Sequence, residues 1–381
     1  MKGLFIGSYP NPVEPYRSVF FRELIYQMAE TGVDVTVISC VSVTAYKGKV
    51  REIPEFEVEV LPSGKTVKVY RPRIVTYSAK KIGKWNTVRL TQKSIENAVI
   101  KQIKKIDEHF DFFYGHFFLG GGLTAAKAGS YFNIPSYIAY GECDFNTEVY
   151  NKYGDIKREQ MESVKGIIAV SSANKRDVET RDFARDIPVL LSVNSINEKI
   201  FMPKDKAECR KKFGFTSEDF IVGFVGYFIH RKGPDRVLKA CEGLDDVKLA
   251  FAGKGELEPK GDNVIFAQPL KHEEVADFLG AIDVFVLPTL NEGCCNAVVE
   301  TLACGRPIIS SDLPFNHDVL NENNSILIDP NDIDMIRKSI VELKNDKNKR
   351  MQMSINALKT AEELTLKRRA ENIFNFINDT M

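Results

Sequence analysis

Two glutamates, Glu292 and Glu300, have the residue type and spacing that could do chemistry. They flank the predicted start of a helix, which follows an apolar run (IDVFVLP) typical of a buried strand. Free backbone N–H groups and the helix dipole at such a start attract an anion such as a diphosphate. Glu300, one turn into the helix, would then accept hydroxyls of a ribose, and Glu292 would reach the group beyond the diphosphate. The structural alternative is a capping or salt-bridge role for two surface glutamates.

The residues around the two glutamates favour a ligand site. Gly293, Cys295 and Asn296 stand at the predicted helix start, and Asn296 shares one helix face with Glu300. We therefore expect these four residues to contact a phosphate-bearing ligand.

The length and composition of the chain indicate the kind of fold that must position these residues. A chain of 381 residues is long enough for two domains, and 44 % hydrophobic and 27 % charged residues are ordinary values for globular proteins. The 52 basic and 52 acidic residues cancel, which argues against nucleic-acid binding. Seven scattered cysteines lack metal-ligand spacing, so we expect reduced thiols and no metal site. No signal segment and no stretch of about 18 apolar residues is present, which predicts a cytoplasmic protein.

Apolar runs alternate with helical patterns in both halves of the chain, which predicts an α/β protein with two doubly wound parallel sheets. We expect an N-terminal domain over residues 1–198, a C-terminal domain over residues 199–360, and a final helix over residues 361–381 that crosses back to the first domain. The strands predicted in the second half are residues 220–226, 247–252, 263–267, 282–287, 307–310 and 326–328. The helices predicted there are residues 234–242, 272–281, 296–304 and 332–344. Ligands of such folds bind at the carboxyl ends of the strands, so the expected site is a central cleft that both domains face.

Residues 65–105 interrupt the even charge distribution with twelve Lys or Arg residues against one acid, Glu96. From residue 88 onward, an apolar helical stripe faces away from five basic residues: Arg89, Lys93, Lys101, Lys104 and Lys105. The single tryptophan, Trp85, lies just upstream. Residues 80–105 form either a solvated helix face or a surface that attracts an anionic membrane.

Several segments in order resemble the retaining GT-B glycosyltransferases that carry a Glu, seven residues and a second Glu (glycosyl transferases group 1, family 4). Residues 192–201 (SVNSINEKIF) resemble the linker segment of that family, and residues 224–233 (FVGYFIHRKG), which include Gly226, resemble its loop at the donor diphosphate. Gly253 and Gly255 match its glycine-rich turn near the nucleotide. The resemblance covers nearly the whole chain.

The resemblance implies a glycosyltransferase that keeps the anomeric configuration and needs no divalent metal or other cofactor. The C-terminal domain would bind a nucleotide-sugar donor, and the N-terminal domain would bind a glycan or lipid-linked saccharide acceptor. Glu300 would hold the ribose, and Glu292 the hydroxyls of the transferred sugar. Lys232 and Arg231 would neutralise the charge that develops on the leaving diphosphate, a role that preorganised cations can fill without a metal ion.

Three departures from the family's pattern concern the expected site. Tyr227 follows Gly226, where the family usually has an arginine. The first-domain His-Gly-x-Asp segment appears here as YGECD, so Tyr140 and Asp144, together with His116, are the acceptor-side candidates. Ser18 stands where a glycine usually allows close approach to a phosphate, and its hydroxyl would bind that group or cap the helix.

These observations predict transfer of a hexose or N-acetylhexosamine in surface polysaccharide biosynthesis, at the inner face of the plasma membrane. Two alternatives stay open. One is a nucleotide-sugar epimerase or glycan phosphorylase on the same fold. The other is a catalytically weak sugar-nucleotide-binding partner in a polysaccharide assembly complex. The absence of GxGxxG after the first strand argues against a nicotinamide dehydrogenase.

Overall fold

The computed structural model describes residues 1–78, 81–82 and 85–381 of the chain. These residues form two compact units. Unit 1 contains Met1–Val193 and Lys367–Met381, and unit 2 contains Asn194–Leu366. The boundaries therefore lie at 193/194 and 366/367, where the sequence analysis placed them at 198/199 and 360/361.

Unit 1 is built on an eight-stranded sheet with the strand order β8-β7-β6-β5-β1-β2-β4-β3. Its strands are β1 (Lys2–Ile6), β2 (Asp34–Ile38), β3 (Phe56–Val60), β4 (Thr66–Tyr70), β5 (Phe112–His116), β6 (Ser136–Tyr140), β7 (Val164–Ala169) and β8 (Val189–Leu191). All neighbours pair in parallel except β3 and β4, which form an antiparallel hairpin at one edge. The central strands β1, β5 and β6 are buried on both faces, as is usual for parallel strands that helices cover on both sides.

Helices cover both faces of this sheet. They are α1 (Val19–Glu30), α2 (Thr87–Ile106), α3 (Leu123–Phe132) and α4 (Ser172–Glu179). Helix α1 packs its apolar stripe on one face of the sheet, and α2 and α3 pack on the other. Shorter helical turns span Val43–Tyr46, Lys47–Glu52, Phe117–Gly122, Asn146–Tyr150, Asn151–Tyr153, Arg158–Met161 and Asp182–Ala184. Two short strand pairs join Val41–Ser42 to Arg73–Ile74 and Lys81–Ile82 to Trp85–Asn86.

Unit 2 is a six-stranded, fully parallel sheet with the strand order β11-β10-β9-β12-β13-β14. Its strands are β9 (Phe220–Val225), β10 (Val247–Ala252), β11 (Val264–Gln268), β12 (Val284–Leu287), β13 (Ile308–Ser311) and β14 (Ser325–Ile328). Its helices are α5 (Lys206–Phe213), α6 (Pro234–Ala240), α7 (His272–Ala281), α8 (Asn296–Ala303), α9 (Ile333–Asn345) and α10 (Lys347–Ala361). Both units are therefore Rossmann-like α/β domains, which confirms the predicted fold class.

Each sheet has a point where the direction of winding reverses. In unit 1 the first strand, β1, lies between β2 and β5, and in unit 2 the first strand, β9, lies between β10 and β12. The reversal lies between β1 and β5 in unit 1 and between β9 and β12 in unit 2. The loops that follow the two strands of each pair diverge to opposite faces and leave a crevice at the carboxyl edge. In unit 2 the two loops at this position are residues 226–233 and residues 288–295, which contain Lys232 and Glu292.

The last helix, α11 (Leu366–Thr380), belongs to unit 1 for nearly all of its length. Ala370, Ile373 and Ile377 are fully buried in the same core cluster as α1. The hydroxyl of Tyr137 on β6 donates to the carbonyl of Ile377 over 3.1 Å. The chain therefore runs from unit 1 to unit 2 and then back to unit 1.

The basic segment is less uniform than its composition suggested. Among its first residues, Lys68 pairs with Glu108 and Arg71 with Glu57, and Arg71 is buried. Lys80 and Lys84 lie outside the described residues, and so do the side chains of Lys81 and Trp85. The exposed basic side chains of helix α2 are Arg89, Lys93, Lys101, Lys104 and Lys105.

The helix α2 itself is as predicted, because Val99 and Ile103 on its apolar stripe are buried in the core. Within the described part of the chain, no helix combines the length and apolar character needed to cross a membrane.

Candidate functional site

The loops after β9 and β12 are joined to each other at the reversal point of unit 2. The backbone N–H of Leu290 donates to the carbonyl of Arg231 over 2.9 Å. The guanidinium of Arg236 donates to the carbonyls of His230 and Pro288 over 3.0 and 2.8 Å. Two loops that are about 60 residues apart in sequence are therefore held as one surface.

Three donors of these loops converge on a single oxygen of Glu292. Its Oε1 lies 2.5 Å from Nη1 of Arg231, 2.6 Å from Nζ of Lys232 and 3.0 Å from Oγ1 of Thr289. Glu292 and Lys232 are only 9 % and 8 % exposed. Two cations and one carboxylate leave one net positive charge at the predicted diphosphate position.

The ammonium of Lys232 stays charged despite its burial. Burial by itself lowers the pKa of Lys232, whereas the neighbouring Cys295 and the Glu292 carboxylate raise the pKa, and the net shift is upward from 10.5. The Cys295 thiol lies 3.7 Å from the ammonium, and burial raises the pKa of this thiol. The carboxylate of Glu292, 2.6 Å away, is therefore the counter-charge of Lys232.

The turn at Gly253 and Gly255 presses directly against the loop after β9. A Cβ atom on Gly253 would lie 1.9 Å from the carbonyl oxygen of Gly226, and one on Gly255 would lie 2.3 Å from that of Phe228. The backbone N–H of Phe228 donates to the carbonyl of Lys254 over 2.9 Å. Only glycine allows this approach, so these glycines shape the loop that carries Arg231 and Lys232.

The start of α8 is tied to the segment that resembled the family's linker. The side-chain amide of Asn194 donates to the carbonyl of Cys294 over 2.9 Å and to Oδ1 of Asn296 over 2.7 Å. Asn296 begins α8, and Glu300 lies one turn further along the same helix. Unit 2 therefore brings the loops of Gly226, Arg231, Lys232, Gly253 and Gly255 and the segment from Gly293 to Glu300 into one domain, at the carboxyl edge of one sheet.

Tyr227 marks the departure from the family's pattern. It is 60 % exposed, and its neighbour Phe228 is buried, so the loop presents the phenol ring outward. The position that carries an arginine in the resembled family has no cation here.

The acceptor-side candidates of unit 1 lie largely in its interior. His116 ends β5 and stacks on Phe21, with ring centroids 4.3 Å apart. Burial lowers the pKa of His116 to about 3, so the ring is neutral at physiological pH. Tyr140 is buried, and its hydroxyl donates to Oδ2 of Asp177 over 2.8 Å. The rings of His116 and Tyr140 are thus enclosed in the core of unit 1, and their contact with an acceptor stays a prediction.

Asp144 caps a local turn, since its Oδ1 accepts from the backbone N–H of Thr147 over 2.7 Å. Ser18 lies at the N-terminus of α1 with φ 53°, the left-handed conformation that suits a glycine, and its side chain makes no capping bond. The expected capping role of Ser18 is therefore wrong, and its contact with a ligand stays a prediction.

Sequence reasoning gave no site role to three polar side chains that hold loops in place: Thr289 and Asn194 in unit 2, and Glu142 in unit 1. Glu142 accepts from the backbone N–H groups of Phe118 and Leu119 over 2.6 and 3.3 Å. Burial raises the pKa of Glu142 to about 7. The only available signal for Glu142 was its place in the YGECD segment, where the comparison with His-Gly-x-Asp drew attention to its neighbours instead.

No three His, Cys, Asp or Glu side chains are grouped to hold a metal ion within residues 1–78, 81–82 and 85–381. The metal independence of the reaction stays a prediction.

The known proteins that this chain resembles in sequence are glycosyltransferases. Residues 205–360 match the family described as glycosyl transferases group 1. Over 367 residues the chain is 28 % identical to the putative teichuronic acid biosynthesis glycosyltransferase TuaC of Bacillus subtilis (strain 168), covering 91 % of this chain and 90 % of that protein. A GDP-mannose-dependent monoacylated alpha-(1-6)-phosphatidylinositol monomannoside mannosyltransferase of Corynebacterium glutamicum is 26 % identical over 170 residues, which are 40 % of this chain and 45 % of that protein.

Solved structures share the fold over the whole chain. Sucrose-phosphate synthase of Thermosynechococcus elongatus superposes with a TM-score of 0.77 at 16 % identity, covering 100 % of this chain and 98 % of that one. Anabaena Alr3699/HepE, solved in complex with UDP and glucose, superposes with a TM-score of 0.68 at 14 % identity, covering 100 % of both chains. The fold is thus that of the GT-B class. The chain is a glycosyltransferase, and its match to the group 1 family covers residues 205–360, which lie in unit 2.

Proposed function

We propose that this enzyme is a retaining, metal-independent glycosyltransferase that moves a sugar from a nucleotide-sugar donor to a glycan or lipid-linked saccharide during surface polysaccharide biosynthesis. The observation that carries the proposal is the convergence of Arg231 and Lys232 on Glu292 at the reversal point of unit 2. Support for the acceptor class comes from the relative whose name refers to teichuronic acid biosynthesis.

Each residue of the cluster has a role in this proposal. Lys232 and Arg231 bind the diphosphate and neutralise the charge that grows on it as the bond to the sugar breaks. Glu292 faces the hydroxyls of the transferred sugar, and Glu300 holds the ribose through charge-assisted hydrogen bonds. The acceptor attacks from the side that the diphosphate leaves, and the diphosphate takes the acceptor proton, so the anomeric configuration is kept.

Acceptor-dependent release of a nucleoside diphosphate tests this function. UDP-, GDP- and ADP-sugars are each incubated with a panel of saccharide acceptors, with and without EDTA. We expect one donor to release its nucleoside diphosphate and to elongate an acceptor, at the same rate in EDTA. Activity that is abolished by EDTA and restored by Mg²⁺ would contradict the metal-free mechanism.

The same assay separates the alternatives. Conversion of the donor to an epimeric nucleotide sugar, without net release of nucleotide, would favour an epimerase. Release of a sugar phosphate from a glycan when inorganic phosphate is added would favour a phosphorylase. Tyr227, which replaces a cation, is the observation in favour of a catalytically weak binding partner. That function would give donor binding without turnover on any acceptor.

Replacement of Glu300 by alanine should weaken binding of the nucleotide sugar about tenfold or more. The reason is that charge-assisted hydrogen bonds to a ribose contribute about 1.5–3 kcal/mol each. Calorimetric titration measures the change, and Glu322→Ala serves as the control because Glu322 is exposed on the turn before β14, at the opposite edge of the sheet. A folded Glu300→Ala protein with unchanged affinity would exclude the ribose-binding role.

We further propose that the protein works in the cytoplasm at the inner face of the membrane, where exposed lysines of α2 attract anionic lipids. Lys93, Lys101 and Lys105 are exposed on one side of the helix. Each basic residue near such a surface adds up to about 1 kcal/mol, and salt screens this attraction.

The variant with Lys93, Lys101 and Lys105 all changed to glutamate should therefore lose sedimentation with phosphatidylserine-containing liposomes at low salt, whereas the wild type should bind them. The wild type should also detach at high salt, and neutral liposomes are the control. Equal sedimentation of the two proteins, or no binding by the wild type, would show that α2 presents only a solvated face.

A further inference from the structure

Lys232 and Arg231 have to bind two anions in turn, the carboxylate of Glu292 and the diphosphate of the donor. In the structure their anionic partner is Glu292 Oε1, at 2.6 and 2.5 Å. The proposed reaction brings a diphosphate to the same two cations. A buried ammonium is costly without a counter-charge, so the 8 % exposed Lys232 requires one anion or the other at all times.

The position of Glu292 beside the two cations is also defined by hydrogen bonds. Thr289, which is fully buried, donates its hydroxyl to Oε1 over 3.0 Å, and its carbonyl accepts from Oγ of Ser311 on β13. The side-chain amide of Asn316 in turn donates to the carbonyl of Ser311 over 2.8 Å. This buried chain of hydrogen bonds fixes one place to which the carboxylate returns.

We infer that Glu292 and the diphosphate group compete for Arg231 and Lys232, and that the return of Glu292 to these cations expels the nucleoside diphosphate after transfer. The inference rests on the proposed function. While the donor is bound, the diphosphate takes over the cations and releases Glu292 towards the sugar. After transfer the free nucleoside diphosphate carries more negative charge than the donor did, so it would hold the cations more strongly. The Glu292 carboxylate replaces the diphosphate as the ligand of the two cations and so lowers the barrier to product release.

If Glu292 competes with the diphosphate, its replacement by glutamine should strengthen the binding of phosphate-bearing ligands. Removal of the competing charge should tighten binding of inorganic pyrophosphate and of the nucleoside diphosphate about tenfold or more, because a charge-assisted contact of the two cations is freed. Binding of the matching nucleoside, which has no phosphate, should not change. Turnover should fall, and product release should become the slow step, seen as a burst of product in the first turnover.

The experiment titrates pyrophosphate, UDP, GDP, ADP and the three nucleosides into the wild type, Glu292→Gln, Glu292→Asp and Glu322→Gln. The control Glu322→Gln makes the same charge change on an exposed turn at the opposite edge of the sheet. Glu292→Asp keeps the charge but is shorter by one methylene, so it should bridge the two cations less well and give a smaller gain. It also keeps the test decisive if Glu292→Gln does not fold.

Tighter binding of phosphate-bearing ligands by both Glu292 variants, and not by Glu322→Gln, is the expected result. Equal or weaker binding by a folded Glu292 variant would overturn the inference while leaving the proposed function intact. Failure of every nucleoside diphosphate to bind the wild type would instead count against the proposed function itself.

Discussion

Replacement of Lys232 by methionine should lower kcat/KM for the nucleotide-sugar donor by at least about 100-fold, the range seen when one preorganised charge stabiliser is removed from a transition state. The ammonium is buried, its pKa is raised, and it contacts Glu292 at the reversal point of the unit 2 sheet. Methionine keeps the apolar stem that passes Gly226, so the change isolates the charge. Steady-state kinetics with the best donor measures the effect.

The matched control is Lys239→Met, because Lys239 is exposed on the neighbouring helix α6. This substitution removes the same charge from unit 2. The Lys232→Met protein should remain folded, since Glu292 keeps its contacts with Arg231 and Thr289. If Lys232→Met turns over at the rate of the control, the diphosphate is not bound at this cluster.

Gly253→Ala should lower the free energy of unfolding by about 3 kcal/mol, a value typical of overpacking where no flexible side chain can yield. The added methyl carbon would lie 1.9 Å from the carbonyl oxygen of Gly226, so backbone atoms must move. Displacement of this loop should also weaken nucleotide binding, because the same loop carries Arg231 and Lys232. Urea denaturation and calorimetric titration measure the two effects.

Gly261→Ala is the control for this substitution, since its nearest new contact would be an ordinary 3.4 Å from the side chain of Asn263. We expect Gly261→Ala to change stability little. A Gly253→Ala protein as stable as the Gly261→Ala protein would mean that the two loops are not packed as described.

The parallel strands and amphipathic helices could be predicted because their signals are local. The bounds of β10 and α7 match the predicted ones, since each combines an unbroken apolar pattern with a clear start and stop. The edge strand β3 was missed because its pattern is inverted. Its Glu57 and Glu59 face Arg71 and Tyr9, whereas Val58 and Val60 are exposed. The partners of the two glutamates lie 14 and 50 positions away in sequence, beyond the reach of a period-2 pattern, so no local signal marks the strand.

In the candidate site, too, only the features with a local sequence signal could be predicted. Resemblance and helix-start chemistry pointed to Glu292, Glu300 and Lys232, yet nothing local indicated that Lys232 and Glu292, which lie 60 positions apart, form an ion pair. The burial of Tyr140 and of His116 could not be predicted either, because it depends on rings and helices from other parts of unit 1. Charge counting overestimated the basic surface for a similar reason. It could not show that Lys68 and Arg71 have acidic partners.

Hydrogen–deuterium exchange with a bound nucleoside diphosphate tests the central claim most directly, since it locates the ligand without changing a residue. The nucleotide that binds in calorimetric titration is added at saturation, and amide protection is compared with that of the free protein. The account predicts slower exchange in residues 226–233 and 288–295 of unit 2, the loops that carry Arg231, Lys232 and Glu292. Unchanged exchange in both loops, in a protein that binds the nucleotide, would contradict it.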